Sequence, residues 1–117
     1  MYTITKTFHF AAAHALPHLP DGHKCQRLHG HNYQVTYELA ARVLGPEQWV
    51  TDYAAIKKVW SQAEAILDHR NLNDIIGEYS TAEMLAGWLF ELAREQLDQL
   101  VAVTVHETPN TSASYRP

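Results

Sequence analysis

Two histidines separated by a single glycine, His29-Gly30-His31, have the spacing in this chain that is best suited to metal binding. On an extended strand, side chains two residues apart lie on the same face, so both imidazoles would point in one direction. Zinc binds histidine nitrogen readily, and a catalytic zinc usually has three protein ligands and an open fourth position. The pair therefore predicts two ligands of a zinc ion. The candidates for the third ligand lie upstream: His14, His18, His23 and Cys25.

Cys25, just upstream of this pair and the only cysteine of the chain, admits three interpretations. As a further zinc ligand it would close a structural site. As a free thiol beside a bound cation, Lys24 and Arg27, it would be suited to proton transfer. As a small hydrophobic residue it would have no chemical role. The residue types alone leave all three open.

Asp68-His69 and Glu107 are two further positions at which the sequence indicates chemistry. The Asp-His pair follows a predicted helix, where the histidine either interacts with the helix dipole or acts as a general acid or base oriented by the carboxylate. Glu107 follows an apolar strand, where a carboxylate is either solvated or a bidentate acceptor for a flat heterocycle with adjacent N–H donors. Both alternatives remain open at each position.

Hydrophobic periodicity predicts the elements that position these residues. The predicted strands cover 2–14, 29–43, 100–106 and 113–116, the predicted helices cover 52–67 and 81–97, and 15–28 and 68–79 are predicted loops. Asp52 is the predicted N-cap of the first helix. Ser80 is the predicted N-cap of the second, because Ser80 and Glu83 form a capping-box pattern.

The resulting ββααββ order predicts one α+β domain, residues 1–117, with two helices on one face of a four-stranded antiparallel sheet. His14 would end the first strand on its apolar face. The opposite face of the second strand is polar. Because a sheet of this size has two free edges, we expect neighbouring subunits to join edge to edge into a closed barrel.

Composition narrows the class of protein. Nine basic and thirteen acidic residues give a net charge of −4, which argues against binding of nucleic acid. No apolar segment approaches the about 20 residues that span a bilayer, so no membrane partner is expected. A single cysteine cannot form an internal disulfide, which favours a reducing cytoplasm.

Several motifs occur together in chain order. They are Phe8-x-Phe10-Ala11-Ala12-Ala13-His14, Gly22-His23-Lys24-Cys25-x-Arg27-Leu28-His29-Gly30-His31, Leu67-Asp68-His69, Thr81-x-Glu83 and Glu107-Thr108. Over essentially the whole chain this pattern resembles the 6-pyruvoyl-tetrahydropterin synthase superfamily. The Cys-x₃-His-Gly-His spacing resembles its 6-carboxy-5,6,7,8-tetrahydropterin synthase branch.

The resemblance implies a tunnelling fold, in which ββααββ subunits join their sheets into a barrel and two trimers stack into a homohexamer. It also implies a role for particular residues and Zn²⁺ as the cofactor. The implied zinc ligands are His14, His29 and His31, the implied catalytic residues are Cys25, Asp68 and His69, and the implied pterin anchor is Glu107.

The implied reaction converts 7,8-dihydroneopterin triphosphate to the 6-carboxy product and releases acetaldehyde and triphosphate, a step towards queuosine. Lys24, Arg27 and His23 on the loop are expected to contact the triphosphate. Because Asp68-His69 lies on a loop at a helix end, the active site is expected to be shared between subunits. Two alternatives stay open: a synthase that forms the 6-pyruvoyl product, and a non-catalytic zinc-stabilised module in which Cys25 closes the metal site.

Overall fold

The computed structural model describes residues 1–117 and contains four strands and two helices. The elements in chain order are β1 (Tyr2–His14), β2 (His29–Ala41), α1 (Tyr53–Leu67), α2 (Ala82–Ala93), β3 (Leu100–Thr108) and β4 (Thr111–Tyr115). Each strand is antiparallel to its neighbours in one sheet of order β1-β2-β3-β4. The predicted ββααββ chain of the α+β class is therefore confirmed.

The side-chain alternation of β2 determines which face of the sheet is covered. Tyr33, Val35, Tyr37 and Leu39 share one face and are at most 1% exposed. Against the sheet, α1 contacts β1, and α2 contacts β3 and β4. The buried residues of both helices join this strand in one hydrophobic core. Neither helix is long and apolar enough to cross a membrane.

The opposite face of the sheet carries hydroxyl groups. The hydroxyls of Thr7 and Thr36 lie 2.9 Å apart across β1 and β2. Those of Thr104 and Ser114 lie 2.6 Å apart across β3 and β4. The polar character predicted for this face of β2 therefore extends across the whole sheet.

The two helices begin at different kinds of cap. The Asp52 side chain accepts a hydrogen bond from the Ala54 amide at 2.9 Å, as predicted for the N-cap of α1. The prediction of Ser80 as N-cap of α2 is wrong, because the cap is Thr81, whose hydroxyl accepts from the Met84 amide at 3.2 Å. Ser80 is instead buried beside the first strand.

Four predicted element ends also differ from the structure. Helix α2 stops at Ala93 instead of residue 97, because the chain turns there to bury Leu97 in the core. Strand β2 stops at Ala41, which pairs with Tyr2 at the start of β1, so the following residues have no partner strand. β3 extends to Thr108 and β4 begins at Thr111, which makes the final hairpin tighter than predicted.

A short segment after α1, residues 68–71, covers part of the outer edge of β1. The Ala11 amide donates to Asp68 Oδ1 at 3.0 Å, and the Ala11 carbonyl accepts from the His69 amide at 2.6 Å. The Ala13 amide donates to the Arg70 carbonyl at 3.0 Å. This backbone pairing holds the Asp-His pair at the sheet edge and satisfies strand groups that would otherwise be free.

Candidate metal centre and active site

Strand pairing brings three histidines together at one end of the sheet. His14, the last residue of β1, pairs with His29, the first residue of β2, and His31 lies two residues further on the same face. One ligand atom from each lies within 4.8 Å of the others. The structure therefore places His14 in the cluster. His18 packs against Tyr79 instead, with ring centroids 4.7 Å apart and the ring planes tilted by 57°.

Backbone carbonyls orient two of the three imidazoles. His14 Nδ1 lies 2.7 Å from the Ser80 carbonyl oxygen, and His29 Nδ1 lies 2.7 Å from the Arg27 carbonyl oxygen. A carbonyl oxygen only accepts, so each Nδ1 carries the hydrogen and each Nε2 keeps a free lone pair in the neutral ring. This is the arrangement found around metal-bound histidines, where the second nitrogen fixes the tautomer and the ring orientation.

The Nε2 atoms of His14 and His31 are buried and lack a hydrogen-bond partner. An unpaired buried polar atom is costly, and His14 is completely buried. A divalent cation would pair these nitrogens, and three histidines are an established ligand set of catalytic zinc. The residues present therefore fit a metal ion of this kind.

Glu107 extends from the end of β3 into the same cluster. Its Oε2 lies 3.3 Å from His14 Nε2 and 3.2 Å from His31 Nε2. The predicted strand 100–106 ends before Glu107, whereas β3 includes Glu107 and directs its side chain at the histidines.

A cavity of about 410 Å³ opens beside this cluster. Its lining residues are Lys24, Cys25, His29, His31, Glu107, Thr108 and Thr111. Cys25 is a free, half-buried thiol, and it is not among the donor atoms that converge at the histidines. The side chain of Arg27 is exposed and does not line the cavity, so of the two basic loop residues only Lys24 does.

Cys25 is positioned by its main chain. It lies in a short 3₁₀ turn over Lys24–Gln26. Its amide donates to His23 Nδ1 at 3.1 Å, and its carbonyl accepts from the Leu16 amide at 2.8 Å. The imidazole of His23 is thereby used as the cap of this turn.

Asp68 and His69 form a hydrogen-bonded pair at the outer edge of β1. Asp68 Oδ2 lies 2.9 Å from His69 Nδ1. The hydrogen bond from the Ala11 amide, followed by that from His69, lowers the pKa of Asp68. The His69 side chain is 81% exposed and lines a groove of about 580 Å³ along β1 and β2. His31 lines both this groove and the cavity of Cys25, whereas His69 lines only the groove and Cys25 only the cavity. Within one chain, the predicted catalytic residues are therefore not brought together.

Two residues outside the predicted site, Ser80 and Asn73, support it. Ser80 does so through its carbonyl, for which side-chain patterns give no signal. Asn73 holds the residue after His14: its Oδ1 accepts from the Ala15 amide, and its Nδ2 donates to the Ala15 carbonyl, both at 2.8 Å. Its Nδ2 also donates to the Gly77 carbonyl at 3.1 Å. In the sequence, Asn73 stands in a polar loop after a helix and belongs to a Leu72-Asn73 pair that resembles the family pattern, but neither signal gives these contacts.

Residues 3–117 match the family model described as 6-pyruvoyl tetrahydropterin synthase. The chain belongs to the 6-pyruvoyl tetrahydropterin synthase family. The family resemblance read from the sequence motifs is thus confirmed, and with it the prediction of an enzyme of this family.

Relatives and solved structures agree with this family. The chain is 38% identical to a 6-carboxy-5,6,7,8-tetrahydropterin synthase of Synechocystis, over 98% of this chain and 93% of the relative. It is 31% identical to the Bacillus subtilis protein of the same name, over 99% of this chain and 86% of the relative. The structure of Caenorhabditis elegans 6-pyruvoyl tetrahydropterin synthase superposes with a TM-score of 0.87 at 31% identity, covering 99% of this chain and 95% of that one.

Proposed function

We propose that this chain is a zinc-dependent 6-carboxy-5,6,7,8-tetrahydropterin synthase. It converts 7,8-dihydroneopterin triphosphate to 6-carboxy-5,6,7,8-tetrahydropterin with release of acetaldehyde and triphosphate, in the biosynthesis of queuosine. The observation that carries the proposal is the three-histidine cluster, which opens into one cavity with a free thiol and a carboxylate. The names of the Synechocystis and Bacillus subtilis relatives support the carboxy-forming reaction.

In the proposed mechanism His14, His29 and His31 hold the metal. The chemistry that Zn²⁺ supplies when bound is polarisation of an oxygen on the substrate side chain. Glu107 accepts hydrogen bonds from adjacent N–H groups of the pterin and orients the ring. Cys25, in the same cavity, moves a proton at the carbon next to the polarised oxygen. Lys24 at the cavity wall and Arg27 at its exterior face the triphosphate.

Asp68 and His69 complete the proposed site from a second chain. The position of His69 at the outer edge of β1, and of Cys25 in the cavity with residues from the β3–β4 hairpin, supports pairing between chains. Edge-to-edge association of sheets would bring the outer edge of one chain towards the hairpin of the next. The Asp-His pair would then serve as the proton partner of the thiol. We therefore propose a homohexamer, a dimer of trimers, with a barrel of joined sheets.

We also propose a cytoplasmic location, which the single free cysteine supports, since a thiol persists in a reducing compartment. A 6-pyruvoyl tetrahydropterin synthase is the second candidate, supported by the likeness to the Caenorhabditis elegans structure. The two candidates share fold and metal ligands and differ in the bond that is broken.

Product analysis tests the proposal. The zinc-loaded protein is incubated with 7,8-dihydroneopterin triphosphate, and pterin products and acetaldehyde are quantified by chromatography. We expect equimolar 6-carboxy-5,6,7,8-tetrahydropterin and acetaldehyde. A 6-pyruvoyl product without acetaldehyde would favour the second candidate. Absence of turnover, together with a Cys25 that resists alkylation while zinc is bound, would favour the non-catalytic module.

A further inference from the structure

The position of Glu107 relative to the histidines has the dimensions of metal coordination. Its Oε2 is 3.3 Å from His14 Nε2 and 3.2 Å from His31 Nε2. In a tetrahedral site with metal–ligand distances of about 2.0–2.1 Å, neighbouring ligand atoms are about 3.4 Å apart. The carboxylate oxygen therefore stands close to the distance of a fourth ligand from two of the three nitrogens.

A histidine–carboxylate ion pair explains this arrangement less well. His14 Nδ1 already carries a hydrogen, which it donates to the Ser80 carbonyl. An ion pair would need a second hydrogen on the Nε2 of a fully buried ring, and one hydrogen could satisfy only one of the two nitrogens that face Glu107. Both Nε2 atoms also lack hydrogen-bond geometry towards the carboxylate. One cation would pair both nitrogens and the carboxylate oxygen at once.

We propose that Glu107 is a fourth ligand of the metal in the substrate-free enzyme and leaves the metal when the pterin binds. His29 makes no contact of this kind with Glu107, so the proposal rests on the distances to the other two nitrogens. The second half of the inference rests on the proposed function, in which the same carboxylate binds the pterin. The first half concerns the metal alone.

This exchange would couple pterin binding to release of the fourth coordination position of the metal. In the resting enzyme Glu107 occupies the fourth position and keeps other small ligands away from it. The N–H donors of a pterin compete for the carboxylate, because a buried charge is best paired with two donors. The position that the carboxylate vacates then becomes available to an oxygen of the substrate side chain, in the same cavity. Glu107 thus binds the metal first and the pterin afterwards.

Cobalt substitution tests the first half without any substrate. The full chain is loaded with Co²⁺, whose visible spectrum reports its ligands, and is titrated with imidazole as a neutral probe of an open fourth position. Four proteins are compared: wild type, Glu107→Gln, Glu107→Asp and the exposed control Glu95→Gln. The aspartate variant keeps the negative charge but shortens the side chain by one methylene, which separates coordination from electrostatic attraction.

We expect imidazole to bind cobalt at least about tenfold more tightly in both Glu107 variants than in wild type, and Co²⁺ affinity in chelator competition to fall about tenfold. The Glu95→Gln protein should match wild type. If Glu107→Asp behaves as wild type while Glu107→Gln changes, the carboxylate acts by charge and the proposal is wrong. Equal imidazole affinity in all four proteins would also overturn it.

Neopterin, a pterin without phosphate, tests the second half in the wild-type cobalt protein. Its addition should shift the cobalt spectrum towards that of Glu107→Gln and should strengthen imidazole binding. If neopterin binds, as measured by calorimetry, and the spectrum does not move, the exchange is refuted. If neopterin does not bind while the Glu107 variants behave as expected, coordination by Glu107 stands and the proposed function fails.

Discussion

Replacement of Asn73 by alanine should destabilise the chain and loosen the loop that carries Cys25. The Asn73 amide makes three hydrogen bonds, two to the backbone of Ala15 and one to the Gly77 carbonyl. Ala15 follows the metal-binding residue His14, and the next amide, that of Leu16, holds the carbonyl of Cys25. The same side chain therefore ties the loop after α1 to the loop of the thiol.

The magnitude follows from these contacts. Each net hydrogen bond contributes about 1 kcal/mol, and the partly buried groups of Ala15 would be left without partners, so we expect Asn73→Ala to lower the free energy of unfolding by about 2–4 kcal/mol. Urea denaturation at fixed protein concentration measures this, with the exposed Asn110→Ala as the matched control. The control should stay within about 0.5 kcal/mol of wild type.

Turnover and zinc content of the Asn73→Ala protein test whether Asn73 also positions Cys25. His14 remains held by Ser80, so zinc content should be unchanged. Turnover should fall because the Cys25 loop loses its support. If Asn73→Ala lowers the free energy of unfolding by less than about 1 kcal/mol and keeps wild-type turnover, Asn73 does not position the thiol.

Three further predictions concern the proposed catalytic groups. Cys25→Ala should retain zinc by metal analysis and lose about 10²–10⁴-fold in turnover, and loss of zinc would instead make Cys25 a structural ligand. Mixing Cys25→Ala with Asp68→Ala chains should restore activity in the mixed oligomer, whereas confirmed mixing without activity would place each site within one chain. Because the Ala11 amide lowers the pKa of Asp68 from 3.8, its stabilising effect is complete above that value and is lost as the pH falls through the folded-state pKa. Urea denaturation from pH 5 to 2.5 should therefore show a steeper loss of stability for wild type than for Asp68→Asn, and parallel curves would contradict this.

Patterns that repeat along the chain were sufficient to predict the fold. The alternation of β2 separates its buried and polar residues, and the helical periodicity of α1 and α2 identifies the faces that cover the sheet. These patterns depend on burial, which acts on every residue of an element. Element ends depend on single contacts instead, which is why Thr81 replaces the predicted Ser80 as the cap.

The candidate site was only partly predictable for the same reason. His29 and His31 share a strand, so their common orientation follows from spacing alone. His14 joins them through the register of β1 against β2, which residue spacing does not give. The direction of Glu107 depends on the length of β3, and the separation of Cys25 from His69 depends on the order of strands across the sheet. Neither of these is encoded in a local pattern.

Zinc content and turnover of a His29→Ala protein test the central claim most directly, with His9→Ala as the histidine control. His9 is exposed on β1 and lies outside the metal cluster. Metal analysis should find about one zinc per chain in wild type and in His9→Ala, and almost none in His29→Ala. Conversion of 7,8-dihydroneopterin triphosphate should be lost with the metal in His29→Ala alone, while circular dichroism shows a folded chain. A His29→Ala protein that keeps its full zinc content or its turnover would contradict a catalytic three-histidine metal centre.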